Sequence, residues 1–485
     1  MRRLALVLFA ACTGPEPPVV VMTGPAPGAR FESGTVALSG HLAGGSAETV
    51  RCRLDGGRAW ALGVGPFGEF GALVNAGAGR HQLRCEAGGR TKSVGFEVDA
   101  FVRVRGGDLT VDGQPFRFVG VNAYYLHEEA TREVLGVAAA KGKIDEVLAR
   151  AVDLGATVVR TWAFNDDPES GTVIQEAPLA YSEAGLVGLD RVIAAAGAHG
   201  LRLVLPLGNY WPDYGGVPQY LRWHGLPPGR PDRFFTDPGV RSHFRAHIEH
   251  LSSRKNTVTG IRYRDDPTIL AWELLNEPRG TGLDAEGAAL ASWVAEMADT
   301  VRRADPNHLV GTGEEGFDSV GGLDSAYWRR LGARELVSPG AGSDFLANTA
   351  LVDFASCHVY PEAWGVPPRD VAEAGTRWIE EHARIAATLG KPLVVGEFGL
   401  RNRELAGGAF TVAERRSIYD EWLGRSGSDR AVAGVLSWML MHDGRVDAYD
   451  AYAWTWVSGH PAELPSTRYA ELYRQYAALL SGGLM

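Results

Sequence analysis

Ile269-Leu-Ala-Trp-Glu-Leu-Leu-Asn-Glu-Pro278 is a short apolar run ending in a carboxylate, Glu277, and Pro392-Leu-Val-Val-Gly-Glu-Phe-Gly399 repeats the pattern with Glu397. Each reads as a buried strand that delivers a glutamate at its C-terminal tip. Further apolar runs lie at Phe116–Tyr124, Thr157–Phe164, Leu203–Asn209, Leu309–Glu315, Phe354–Tyr360 and Val435–Leu440. Helical patterns separate them: Lys143–Leu154, Leu189–His199, Gly239–Ser253, Ala288–Ala304, Val371–Leu389 and Ala413–Leu423. Mostly apolar strands interleaved with helices predict a closed parallel (β/α)8 TIM barrel. No glycine-rich phosphate fingerprint follows any strand, which disfavours an open dinucleotide-binding sheet.

The barrel pattern fills residues 101–485. Before it, from 19 to 100, short apolar runs alternate with Gly-rich turns: Thr35–Ser39, Thr49–Leu54, His81–Glu86 and Ser93–Val98. That period-2 pattern predicts a small all-β, immunoglobulin-like sandwich. Cys52 and Cys85 fall centrally in two of these strands, where a cross-sheet disulfide is expected. Such a bridge needs an oxidising compartment. Residues 1–18 supply the route there. Arg2-Arg3 precede the apolar run Leu4–Ala11 and then Cys12, followed by a Pro-rich tether. Two small residues directly before a Cys resemble a bacterial lipobox, so Cys12 is a candidate for lipidation and a lipid anchor in the outer membrane. Phe9 stands where a Leu is usual, and a plain, rather short signal peptide is the alternative. Either way the protein is expected to be exported, as an extracellular, cell-surface or periplasmic protein. Cys357, inside an apolar run, reads as a small buried thiol.

Of the 485 residues, 45% are hydrophobic and 22% charged, the balance of an ordinary globular protein. The net charge of −10 excludes nucleic acid and other polyanions as partners, because either would need a basic stripe. A neutral substrate fits, and a monomer is expected. No clustered Cys/His pattern suggests a metal ligand set, so no metal and no cofactor is predicted.

Chemistry collects at the strand ends. A retaining glycosidase needs one carboxyl that gives a proton to the leaving oxygen and one carboxylate that attacks, about 5–5.5 Å apart. Glu397 is the expected nucleophile, because Arg160 and Tyr360 are available to depress its pKa. Glu277 is the expected acid/base, its pKa raised by burial and by the charge of Glu397. Asn276 offers an amide to a sugar 2-hydroxyl, and His358 can bridge sugar hydroxyls and the carboxylates. Trp438 would floor the subsite of the cleaved sugar, with Trp162, Trp211 and Tyr214 lining the cleft beyond it.

The same residues carry a family resemblance. Gly120-Val-Asn-Ala-Tyr-Tyr125, Arg160-Thr-Trp-Ala-Phe-Asn165, Asn209-Tyr-Trp-Pro-Asp-Tyr-Gly-Gly216, Ala271–Arg279, Gly313-Glu-Glu-Gly-Phe317, His358-Val-Tyr-Pro361 with Trp364-Gly365, and Gly396-Glu-Phe-Gly399 are similar to glycoside hydrolase family 5, in particular its endo-β-1,4-mannanases (subfamily 7-like). The resemblance implies Glu277 as acid/base, Glu397 as nucleophile, and β-mannan or manno-oligosaccharides as substrate. It also implies that Arg279 and Glu315 bind mannosyl hydroxyls outside the cleavage subsite, and it brings Asn209 into the substrate-binding set. It excludes the N-terminal sandwich and does not reach the polar loop Met439–Asp450. A β-glucanase or cellulase, an exo-acting mannosidase or transglycosylase, and a non-catalytic sugar-binding protein are the competing expectations.

Overall fold

In the computed structural model the described residues are 17–481, except 32–34, 46, 77–78, 404–407, 443–444, 446–451 and 453–465. The signal-like run, Cys12 and most of the loop beyond His442 therefore lie outside the described residues. The chain forms two compact units: one up to Phe101 together with Val111–Gln114, the other Val102–Thr110 with everything from Pro115.

The first unit pairs a three-stranded sheet (Val19–Gly24, Thr35–Ala43, Glu69–Asn75) with a five-stranded one ordered Ala29–Phe31, Arg90–Val98, Gly79–Ala87, Thr49–Leu54, Trp60–Gly63. Alternate residues such as Val50, Leu83, Val94 and Phe96 are buried in one core, as a half-buried strand requires. Cys52 and Cys85 are bonded and fully buried. They are direct register partners on neighbouring antiparallel strands of the same sheet. The bridge thus ties two adjacent strands, and the expected cross-sheet placement is corrected. Alternation shows which side chains face inward, but not which strands are neighbours.

The second unit is the barrel. Its strands are Phe118–Asn122, Val158–Arg160, Arg202–Pro206, Ile269–Glu273, Leu309–Gly311, Ala355–Val359, Leu393–Phe398 and Val432–Ser437. All pair in parallel, in the spatial order five-four-three-two-one-eight-seven-six. Among the described residues no ladder joins the fifth strand to the sixth. That seam is bridged by backbone bonds from Asp353 to the Val310 carbonyl (2.8 Å) and from His358 to that of Glu315 (3.1 Å). Every strand residue but Arg202 is buried, which explains runs with no polar face.

Helices begin where caps allow. Glu183–Ala198 starts earlier than its apolar pattern because Ser182 accepts from Gly185 N. Asp237 caps Pro238–Ser253, and a Thr411–Glu414 capping box starts Val412–Ser428. Most strands stop short of the sequence expectation at their C-terminal ends. There the chain leaves the ladder and turns into the barrel mouth, still apolar and buried. At the opposite end Val102 and Leu109, from a hairpin preceding the first strand, pack with Phe118, Val158, Leu270, Leu309, Phe354 and Val394 into an apolar plug.

Candidate active site

The mouth is built from strand tips. Arg160 and Glu273 are the last residues of the second and fourth strands, His358 and Glu397 belong to the sixth and seventh, and Trp438 follows the eighth. Glu277 sits four residues past Glu273 in the left-handed region, at φ +53°. A side chain with a Cβ pays on the order of 1–3 kcal/mol for that conformation. Its amide donates to the Gly313 carbonyl (2.8 Å), and the preceding Asn276 amide to that of Gly208 (2.8 Å), so the turn is pinned on both sides. Gly313 itself has φ +78°, and a Cβ there would lie 2.3 Å from the Leu275 carbonyl, so only glycine allows the fifth strand this close.

Arg160 is fully buried and holds the site together. It donates to Glu273 Oε2 (2.7 Å), Glu397 Oε1 (2.6 Å), Asn122 Oδ1 (3.2 Å) and Asn276 Oδ1 (2.8 Å). Tyr360 donates its hydroxyl to the other oxygen of Glu397 (2.6 Å). Glu277 has different company. Trp211 Nε1 donates to its Oε2 (2.6 Å), and His358 Nδ1 lies 2.7 Å from its Oε1 and 3.6 Å from Glu397 Oε2. An oxygen of each glutamate and that His358 nitrogen all lie within 4.8 Å of one another.

Three potential ligands so close could also suit a metal ion. However, all four carboxylate oxygens are already engaged, and the Arg160 cation bonds one of these carboxylates directly. Both features oppose a metal.

The electrostatics correct one expectation. Burial raises Glu397 above the ordinary carboxylate range, and His358, Arg160 and the Tyr360 hydroxyl oppose that rise without reversing it. Burial also raises Glu277, against the Trp211 hydrogen bond, Arg279 and Arg160, and the charge of Asp213 adds to the rise. The two glutamates therefore differ in partners, not in the direction of their shifts. His358 is pushed down by burial and is a neutral imidazole near neutral pH.

In front of these groups lies a cleft of about 450 Å³. Of the residues singled out from sequence, Trp162, Asn209, Trp211, Asn276, Glu277, Arg279, Glu315, Tyr360, Glu397 and Trp438 line it. Arg160 and His358 do not; both are buried behind the carboxylates, so His358 meets the two acids and not the cleft. Tyr214 is also displaced from its expected place. It turns away to donate to Glu128 and packs edge-on to Trp162. Trp438 stacks on Tyr124, 5.5 Å between centroids and 11° from parallel.

Arg279 and Glu315 form a two-pronged ion pair (2.7 and 3.0 Å), with the guanidinium 4.7 Å from the centre of the Trp211 ring and 4.6 Å from that of Phe317. Sequence reasoning missed Glu273 and Asn122 behind the site, and Asp213, Glu335, Trp364 and Tyr452 as cleft lining. A charged Glu273 inside an apolar strand was the available signal, since a buried charge requires a partner.

A parallel barrel whose mouth holds two adjacent glutamates with unlike partners is a glycoside hydrolase. Residues 99–458 match the family model described as GH family 5 beta-mannosidase-like, and the chain belongs to that family. It is 39% identical over 373 residues to the putative mannan endo-1,4-beta-mannosidase 5 of Oryza sativa subsp. japonica, spanning 73% of this chain and 72% of that protein. With mannan endo-1,4-beta-mannosidase 1 of Solanum lycopersicum it shares 36% over 363 residues, 73% and 86% of the two chains. Among solved structures, the endo-beta-1,4-mannanase from Thermotoga petrophila superposes with a TM-score of 0.65 at 32% identity, covering 77% of this chain and 79% of that one.

Proposed function

We propose that the protein is an endo-β-1,4-mannanase, a mannan endo-1,4-β-mannosidase, that retains configuration through two displacements. The observation carrying the mechanism is the approach of Glu277 and Glu397 to within 4.8 Å, too close for the 6.5–9.5 Å that an inverting pair keeps for a water. Glu397, clasped by a guanidinium and a phenol, attacks the anomeric carbon. Glu277 gives its proton to the glycosidic oxygen, and the leaving chain departs. Glu277 then takes a proton from a water that attacks the mannosyl–Glu397 ester from the vacated side, restoring the β configuration.

The neutral imidazole of His358 suits this exchange. Its Nδ1 stays 2.7 Å from Glu277 Oε1 without adding a charge that would fix that acid in one protonation state. Asn276 is oriented by Arg160 and Asn209, leaving an amide N–H for the 2-hydroxyl of the cleaved sugar.

The preference for mannan is supported by the names of the relatives and by the cleft's Asn209–Gly216 and Arg279–Glu315 segments. Comparing rates on konjac glucomannan, galactomannan and carboxymethylcellulose tests it. Mannan-type polymers should be cleaved fastest, and cellulose as the best substrate would overturn the proposal. Products from defined manno-oligosaccharides should be short oligomers. Mannose alone would mean exo action, and elongated products transglycosylation.

The reading extends to export of a monomer, with Cys12 as the lipidated mature N-terminus that anchors it to the outer membrane. Among the described residues no helix is long and apolar enough to cross a membrane. Mass spectrometry of the mature N-terminus should find a diacylglyceryl-modified Cys12; an unmodified residue there would remove the anchor.

A further inference from the structure

Glu273 is fully buried, and so is the guanidinium it faces. Its Oε2 accepts from Arg160 Nε, while among the described residues its Oε1 has no hydrogen-bond partner. Its charge therefore bears on Arg160. Gly313, two residues past the end of the fifth strand, comes close to that carboxylate. A Cβ there would lie 3.2 Å from Glu273 Oε2. The remaining donors of Arg160 are set by Asn122, Asn276 and Glu397, so the guanidinium is fixed in one plane, and Glu273 fixes its inner edge.

We infer that Glu273 is a positioning residue. It anchors Arg160 and takes a share of its charge, so that Glu397 is held in place by the guanidinium without being fully neutralised by it. An unshared Arg160 would stabilise the Glu397 anion further. That would make it a poorer nucleophile, because the electron pair that must form the bond to the anomeric carbon would be held by the cation. The inference rests on Glu397 being the nucleophile.

The groups facing Glu397 are Arg160 from the second strand, His358 from the sixth, Tyr360 directly after it, and Glu277 after the fourth. Glu315 and Arg279 lie beyond Glu277, and Glu273 lies behind Arg160. Because Glu277 and Glu397 are close, the two limbs of the pH profile belong to the pair. The limb on the acid side reports formation of the anion that attacks.

The test is the pH profile of kcat/KM on mannopentaose for Glu273→Gln and Glu273→Asp in the full chain. Glu273→Gln keeps an acceptor for Arg160 Nε but removes the charge. Its acid limb should move down by about one pH unit, with kcat/KM at the optimum reduced roughly tenfold. Glu273→Asp keeps the charge but withdraws the carboxylate. Its acid limb should stay in place while kcat falls.

A Glu273→Gln protein whose acid limb is unmoved or raised overturns the inference and leaves Glu273 a purely structural ion-pair partner. If that variant does not fold, a downward limb or undiminished turnover in Glu273→Asp overturns it instead. Azide rescue of Glu397→Ala, run alongside, separates the two levels. An α-mannosyl azide keeps Glu397 as nucleophile whatever Glu273 does.

Discussion

The two ends of the barrel are built on opposite principles. At the N-terminal end, Val102, Leu109, Phe118, Leu270 and Phe354 form an apolar plug. The ring of Phe118 fills the space left by Gly434, where a Cβ would come within 2.1 Å of it. At the C-terminal end the same strands place Arg160, Glu273, His358 and Glu397 in comparable burial, with charge where the plug has methyl groups. Burying charges costs free energy that their pairing only partly returns. The plug contributes the stability, and the mouth uses part of it to hold two acids out of water. The comparison teaches where to cut to lose activity and where to cut to lose the fold.

The largest separation of the two ends comes from Glu397→Ala, which should lower turnover by about 10⁴-fold or more while the unfolding midpoint holds or rises; steady-state kinetics beside thermal unfolding checks both. Glu277→Ala should cost about 10²–10⁴-fold on polysaccharide. The cost should be far smaller on an aryl mannoside whose leaving group needs no proton, as a comparison of the two substrates would reveal. Phe118→Ala should do the reverse, removing ~3–5 kcal/mol of stability in denaturant titrations while kcat stays within about twofold.

Smaller effects sharpen the electrostatics. Trp211→Phe removes the donor that pulls Glu277 down, so the alkaline limb of the activity profile should move up in pH. A limb that moves down would contradict the assignment of that limb to Glu277. Glu314 is smaller still in effect. Burial raises it to about 8, opposed by Asn348 and Thr312. A folded pKa above the unfolded value means stability is fully present below about 4.5 and lost as pH rises through about 8. Glu314→Gln should therefore flatten the decline in unfolding midpoint between pH 5 and 9.

Much of this contrast was legible in the sequence. Glu277 and Glu397 stood out because a carboxylate closing an apolar strand has few structural uses. Arg160 and Tyr360 were found as the groups able to serve it, and both bond Glu397. Glu273 was hidden by the same pattern that exposed its neighbour, since it lies inside the apolar run and its partner comes from another strand. The direction of the Glu397 shift was also out of reach, because burial depends on how eight strand tips converge. Tyr214 belonged to an aromatic segment whose members look equivalent in sequence, yet its backbone (φ +54°) and Glu128 turn it away from the cleft. The sandwich disulfide failed on adjacency, which a period of two does not encode.

The central claim is that Glu397 attacks and Glu277 protonates. Glu397→Ala supplied with azide and a 2,4-dinitrophenyl β-mannobioside tests it most directly, with the product's anomeric configuration read by NMR. Azide entering the space left by Glu397 should give the α-glycosyl azide. A β-glycosyl azide from this variant would place the nucleophile elsewhere and contradict the account.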